Sequence, residues 1–203
     1  MPANISTSPI HTFQQRTPEA WYRLRLFNYF RGFLSLLFIA IYFNGWLLKL
    51  IPERFSDPDL FITTSFVYFI ASLFFITGIN YRKPSLDTQI IFHTLIDISC
   101  IIILMHATGG VRTGLGMLLV ISISMTSIFL HKKVTILFAA IAALAIIVEQ
   151  LYSQVTYPDY SPAFTQAGIL GILIFISAFL TIHTAKRLKE TEKIAEATSL
   201  ELE

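Results

Sequence analysis

The residues with the most chemical potential are an acid and a histidine within one apolar segment. His93 and Asp97 are four positions apart, and residues at that spacing share one face of a helix. A carboxylate deep in a bilayer is costly unless it is protonated, paired or hydrated. The pair therefore suits a proton-sensitive switch, half of a metal site, or a polar contact between helices. A metal site needs further ligands, and no other apolar segment has a clear acid or histidine at that depth. We therefore predict no metal and no cofactor.

A glycine-rich turn, A-T-G-G-V-R-T-G, follows this segment over residues 107–114. Gly109 and Gly110 precede Arg112, and glycine tolerates positive φ and close backbone approach. This favours a tight turn between two helices at the membrane surface. The turn lacks the Lys-Ser/Thr and the preceding strand of a phosphate-binding loop, and the chain has no metalloprotease, serine-hydrolase or Walker motif. The pattern therefore does not indicate catalysis by this chain.

Glu149, beside Gln150, lies near the end of a later apolar segment. The predicted topology places Glu149 on the same side of the membrane as Arg112. One interpretation is an ion pair between them, and the other is two separately solvated side chains. Three further histidines fall at segment ends, where an imidazole costs little, and we interpret them as interfacial: His106, His131 and His183.

Composition indicates an all-α integral membrane protein. Of the 203 residues, 54% are hydrophobic and 14% are charged, whereas a soluble domain has about 25% charged residues. The mean hydropathy is +0.64. Open strands cannot cross a bilayer because their backbone groups would be unpaired, so apolar segments of this length are helices. No segment is long enough for a soluble enzyme core, and we predict the lipid bilayer, and no nucleic acid, as a partner.

The predicted organisation has four parts. Residues 1–18 are polar and form a disordered cytoplasmic tail. Residues 19–31 mix aromatic side chains with arginines and form an interfacial helix. Residues 32–183 form six transmembrane helices, and residues 184–203 form a charged cytoplasmic helix. The predicted spans are 32–51, 60–79, 88–106, 114–131, 134–152 and 164–183.

The basic residues predict that both termini are cytoplasmic. With the N-terminus inside, twelve of the fifteen Lys and Arg residues fall in cytoplasmic segments, as the positive-inside rule requires. The remaining three, Lys49, Arg54 and Arg112, fall outside. The outside loops are short, which excludes a globular extracytoplasmic domain. Whatever this chain senses or moves must act in or near the bilayer.

The final segment predicts a helix that leaves the membrane. Leu188, Ala195 and Leu202 recur every seven residues, which is typical of a short coiled-coil seam. A solvated, fraying tail is the alternative interpretation. Since the chain stops within this helix without a cap or breaker, we expect a longer parent protein.

Three stretches carry a resemblance to a known family. They are L-R-L-F-N-Y-F-R-G-F-L at 24–34, H-A-T-G-G-V-R-T-G-L-G-M-L-L at 106–119, and Glu149-Gln150. In a six-span frame they resemble the N-terminal membrane domain of PilS-type sensor histidine kinases, over about residues 20 to 200. The A-T-G-G-V-R turn is the most specific of the three.

The resemblance implies a function and partners. The chain would be the sensory, homodimerising input module of a two-component histidine kinase in the bacterial inner membrane. The kinase would control type IV pilus expression through a PilR-type response regulator, and its signal would be the transmembrane helix of the major pilin. The PAS, phosphoacceptor and ATP-binding domains are missing from these residues, so the kinase activity would belong to the parent protein. Candidate sensing or partner-binding residues are His93, Asp97, Gly109, Gly110, Arg112 and Glu149.

Two other functions remain open at this point. A small transporter or channel subunit would be expected to have several charges at mid-bilayer or paired broken helices. The sequence offers one acid with a nearby histidine, and no inverted repeat is evident. A membrane enzyme built on His93 and Asp97 ranks third, because an integral active site normally gathers more than two polar groups.

Overall fold

The chain forms a bundle of α-helices. A computed structural model describes residues 18–45, 57–157 and 163–201, and it has no strand within those ranges. The helices are α1 (Pro18–Phe43), α2 (Pro58–Tyr81), α3 (Leu86–Ala107), α4 (Met117–Phe129), α5 (Lys132–Thr156) and α6 (Phe164–Glu201), with a 3-10 turn at Val111–Thr113. The predicted all-α membrane fold is confirmed. The predicted tail over residues 1–18 lies outside the described residues, except for Pro18.

The helix ends follow local sequence signals. Asp57 caps α2, because its side chain accepts a hydrogen bond from the backbone N–H of Leu60, and Pro58 occupies the first turn, where proline is tolerated. Arg82 ends α2 in the left-handed conformation at φ 52°. Ser85 then caps α3. Residues 82–85 therefore make a short link that holds α2 and α3 as antiparallel neighbours.

Within the described residues, five helices are long and apolar enough to cross a membrane: Ala20–Phe43, Pro58–Tyr81, Leu86–Ala107, Lys132–Thr156 and Phe164–Arg187. The sixth, α4, has 13 residues, which gives a length of about 20 Å at 1.5 Å per residue. The sequence predicted a longer span over 114–131. The difference arises because the glycines before Met117 form turns and Leu130 is extended.

The start of the chain differs from its prediction. The sequence indicated an interfacial helix over 19–31 followed by a separate span from residue 32. The structure has instead one continuous helix, α1, from Pro18 to Phe43. No proline interrupts residues 19–43, so nothing in the backbone forces a break there. Arg31, which we counted among the cytoplasmic residues, consequently lies in the middle of a buried helix face.

The helices pack mainly as sequential neighbours. α1 packs on α2, α2 on α3, and α3 on both α4 and α5, while α4 and α5 each pack on α6. Large apolar side chains cover the outer surface, for example Phe74, Leu144 and Leu180, as expected where lipid replaces water. The centre of the bundle contrasts with this surface, because it contains several buried polar side chains.

Candidate functional site

Asp97 lies at the centre of a buried polar cluster. Its side chain is fully shielded from solvent. Tyr68 on α2 donates a hydrogen bond to Asp97 Oδ1 at 2.8 Å, and Ser122 on α4 donates to Asp97 Oδ2. Arg31 Nε on α1 lies 2.6 Å from Oδ1. One carboxylate on α3 therefore contacts side chains from three other helices.

Arg31 supplies the charge that the buried acid requires. Its side chain is 1% exposed, and its Nη1 donates to His93 Nδ1 at 2.8 Å. Because a guanidinium can only donate, Nδ1 of His93 is the unprotonated nitrogen. The guanidinium carbon also lies 5.3 Å from the ring centres of both Tyr68 and Phe75, within cation–π range. The two α3 residues predicted to share a face, His93 and Asp97, thus meet on one arginine.

The role of Arg31 was not predicted from the sequence. A buried ion that loses its partner costs more than the pair contributes when intact, so a mid-membrane acid requires a nearby cation. Arg31 is flanked by Phe30 and Gly32 within an uninterrupted helical stretch. The continuity of this helical stretch was the sequence feature that indicated a buried Arg31. We instead assigned residues 19–31 to the membrane surface. Tyr68 and Ser122 gave no comparable signal, since many hydroxyl side chains occur along α2 and α4.

The arginine is incompletely satisfied within the cluster. Its Nε approaches Asp97 without an aligned hydrogen bond, and Nη2 has no hydrogen-bond partner among the described residues. A cavity of about 10 Å³ lies beside it, between α1 and α4, lined also by Tyr68, Asp97 and Ser122. Such a space accommodates about one water-sized group. The ion pair is therefore packed on most sides and less tightly on the side facing α4.

Removing the hydroxyl of Tyr68 tests how much its hydrogen bond to Asp97 contributes to the stability of the bundle. We expect Tyr68→Phe to destabilise the bundle by about 1–3 kcal/mol, because the charged Asp97 would lose a donor that nothing else replaces. The measurement is the free energy of unfolding in detergent or bicelles. Tyr81→Phe is the matched control, because Tyr81 is 80% exposed. Equal stabilities for the two variants would contradict the assigned contact.

A second polar cluster joins the C-terminal ends of α3 and α5. His106 Nδ1 lies 3.2 Å from both Glu149 Oε1 and Ser153 Oγ, and Ser153 donates to Glu149 at 2.7 Å. Glu149 is 5% exposed, so the interpretation of a solvated Glu149 is wrong. Its Oε2, and both amide atoms of the buried Gln150, have no hydrogen-bond partner within the described part of the chain.

The glycine turn is separate from the Asp97 cluster. Gly109, Gly110 and Gly114 have φ of 98°, 85° and 76°, values that favour glycine. Gly110 combines φ 85° with ψ −159°, a region reached almost solely by glycine. Arg112 is exposed at this turn. Ala107, the last residue of α3, is ten residues beyond Asp97, or about 15 Å along the helix, so Asp97 and Arg112 do not form one site.

Among the described residues, no group of three or more His, Cys, Asp or Glu side chains could hold a metal ion. Cys100 is buried and has no disulfide partner. Both carboxylate oxygens of Asp97 contact side chains of other helices. The Asp97 cluster therefore joins four helices through a buried ion pair and hydrogen bonds.

Comparisons with known proteins agree with the fold. Residues 13–195 match a family model described as a PilS-like transmembrane domain. The chain is 30% identical over 177 residues to the sensor protein kinase PilS of Pseudomonas aeruginosa. That match covers 85% of this chain and 32% of the relative, so the chain spans about a third of the relative's length. No solved structure matches the chain.

Proposed function

We propose that this chain, which belongs to the PilS-like transmembrane domain family, is the sensory and dimerising input module of a sensor histidine kinase. The observation that carries the proposal is the family match over residues 13–195, which includes α1 to α5 and most of α6. A named sensor kinase contains a homologous segment over about a third of its length. The parent of this chain would autophosphorylate in its cytoplasmic part and transfer phosphate to a response regulator of the PilR type.

The long last helix supports an input role. α6 has 38 residues, about 57 Å, whereas the hydrocarbon core of a bilayer is about 30 Å thick. It packs on α4 and α5, and it continues to Glu201, beyond the apolar span that ends at Arg187. A change in the bundle could therefore reach the cytoplasm as a movement of one continuous helix.

The contacts suggest how the buried cluster would communicate with α6. Ser122 on α4 contacts Asp97, and Ser124, two residues further, shares a hydrogen bond with Ser177 on α6. The short helix α4 thus touches both the ion pair and the output helix. We propose that displacement of α4 is the step that transmits the signal. The coiled-coil seam predicted for residues 184–203 would then join two protomers.

We propose that both termini are cytoplasmic, in the bacterial inner membrane. Moving Arg31 from the cytoplasmic set into the bundle leaves eleven basic residues inside against three outside, so the positive-inside asymmetry persists. This orientation places the glycine turn, His106 and Glu149 on the outer side. It places the charged end of α6 on the side where a kinase domain would operate.

We propose the transmembrane helix of the major pilin as the signal, with control of type IV pilus expression as the output. The apolar outer surface of α3 to α5 offers a face for such a helix. The residues proposed to take part in sensing are the six that the sequence singled out: His93, Asp97, Gly109, Gly110, Arg112 and Glu149. Of these, His93 and Asp97 would act through the buried cluster, and the others at the outer end.

Photo-cross-linking in membranes tests the proposed partner. A photoreactive residue placed at Ile103, Ile121 or Leu144, all exposed on α3 to α5, should capture pilin in cells that express both proteins. The same residue at Phe74 on α2, which is 72% exposed, is the control and should capture little. Absence of pilin adducts from α3 to α5 would exclude pilin as the partner. A regulator phosphorylation level that pilin leaves unchanged would exclude it as the signal.

A further inference from the structure

A cavity of about 220 Å³ lies between the glycine turn and the first turns of α6. Val111, Arg112, Gly114 and Met117 line one side of it, and Gln166, Ile169, Leu170 and Leu173 line the other. The cavity does not belong to the buried Asp97 cluster or to the His106–Glu149 contact. It is formed by the most distinctive motif of the sequence, which neither cluster uses.

The lining of the cavity changes from polar to apolar with depth. Arg112 and Gln166 lie at the level of the helix ends, where α6 begins at Phe164. Leu173 is seven residues further along α6 than Gln166, which is about 10 Å. Met117 at the start of α4 adds apolar surface beside the turn. The cavity thus combines a guanidinium and an amide near the start of α6 with apolar side chains that continue about two turns along that helix.

We propose that this cavity binds an anionic phospholipid. A lipid presents its charged phosphate at the interface and its acyl chain towards the bilayer centre, which is the order of groups that the cavity provides. Arg112 would pair with the phosphate, since guanidinium–phosphate contacts are strong and often bidentate. Gln166 would donate to a phosphate or ester oxygen, and an acyl chain would lie along Ile169 and Leu173.

The close packing of the turn on α6 makes the lipid a structural partner of the output helix. Gly116 approaches Leu170 so closely that an added Cβ would collide with its side chain. Leu170 is 6% exposed and lines the cavity. A bound lipid would therefore contact the turn and α6 together. This inference does not depend on the kinase assignment or on pilin being the signal.

Lipid retention measured by native mass spectrometry tests the inference. The protein, expressed with all the sequence that its gene encodes, is equilibrated in nanodiscs of phosphatidylcholine doped with phosphatidylglycerol and then released. The unaltered protein should retain phosphatidylglycerol selectively. Arg112→Gln should weaken that retention about tenfold, the effect of losing one charge-assisted hydrogen bond. Arg82→Gln, which alters another exposed arginine in an interhelical turn, is the control and should retain the lipid.

A second variant tests the apolar part of the cavity without changing the charge of Arg112. Leu173→Trp should fill the apolar interior and lower retention while leaving Arg112 in place. Ile172→Trp, on the adjacent position of α6 and 60% exposed, should not lower it. Equal losses in Arg112→Gln and Arg82→Gln would indicate diffuse attraction and overturn the proposal. It would also be overturned if both cavity variants kept the lipid, or if Arg112→Gln lost pilin cross-links while retaining the lipid.

Discussion

Arg31→Met is expected to destabilise the bundle by about 3–5 kcal/mol, because it leaves Asp97 as an uncompensated buried charge. Asp97 is fully shielded and its carboxylate lies 2.6 Å from the arginine. Asp97→Leu should cost a similar amount for the converse reason. The measurement is the free energy of unfolding in bicelles, obtained by denaturant titration or steric trapping.

The double variant distinguishes the ion pair from simple packing losses. Arg31→Met combined with Asp97→Leu removes both charges, and replacement of a buried pair by apolar side chains is often neutral. We therefore expect the double variant to be more stable than either single variant. The control is Asp59→Asn, at an exposed position in the first turn of α2, which should cost less than about 1 kcal/mol. Strictly additive losses in the double variant would show that Arg31 and Asp97 are not energetically coupled.

Arg31→Lys is a further variant that separates charge from geometry. The guanidinium contacts His93 through Nη1 and Asp97 through Nε at the same time. A lysine ammonium is a single compact donor group and cannot reproduce that fork. We expect Lys to recover part of the stability lost in Arg31→Met and leave His93 without its partner. A lysine variant as stable as the unaltered protein would mean that charge alone matters at this position.

The sequence was enough to predict the helices and the face of α3 that His93 and Asp97 share. It was not enough to predict which side chains contact Asp97. Hydrophobic length and turn residues predicted the all-helical fold, and the four-residue spacing placed His93 and Asp97 together. The predicted position of Arg31 was wrong because charge counting assigns every basic residue near a span to the headgroups. Helix continuity through residue 31, together with the need of Asp97 for a cation, would have corrected it.

The order of helix packing could not be predicted from hydrophobic patterns. In a membrane protein the lipid-facing and buried surfaces are both apolar, so periodicity does not say which helix faces which. Ser122 was therefore indistinguishable from the other hydroxyl residues of α4 until the structure placed it on Asp97. The contact between His106 and Glu149 was missed for the same reason. Each residue was placed at the membrane surface, and the packing of α3 on α5 buried Glu149.

Gly116→Ala is the second substitution expected to have a large effect, and its cause is steric. Gly116 has φ −57° and ψ −21°, so alanine is compatible with its backbone. An added Cβ would collide with Leu170 Cδ2 and would lie 3.3 Å from Met105 Sδ. Both neighbours are buried, and overpacking of this kind costs about 1–3 kcal/mol. We expect a loss in that range in the free energy of unfolding.

A compensating variant and a matched glycine decide whether this contact holds the turn on α6. Leu170→Ala removes the methyl group that the added Cβ of Gly116→Ala would meet. Gly116→Ala should therefore lower the free energy of unfolding less in a Leu170→Ala background than in the unaltered protein. Gly168→Ala is the control, since no heavy atom lies within 4 Å of its added Cβ and alanine favours a helix by about 0.5–1 kcal/mol. Gly116→Ala and Gly168→Ala should therefore change stability in opposite directions. If both were neutral, the turn would not be packed on α6, and movement of α6 would be independent of the glycine turn.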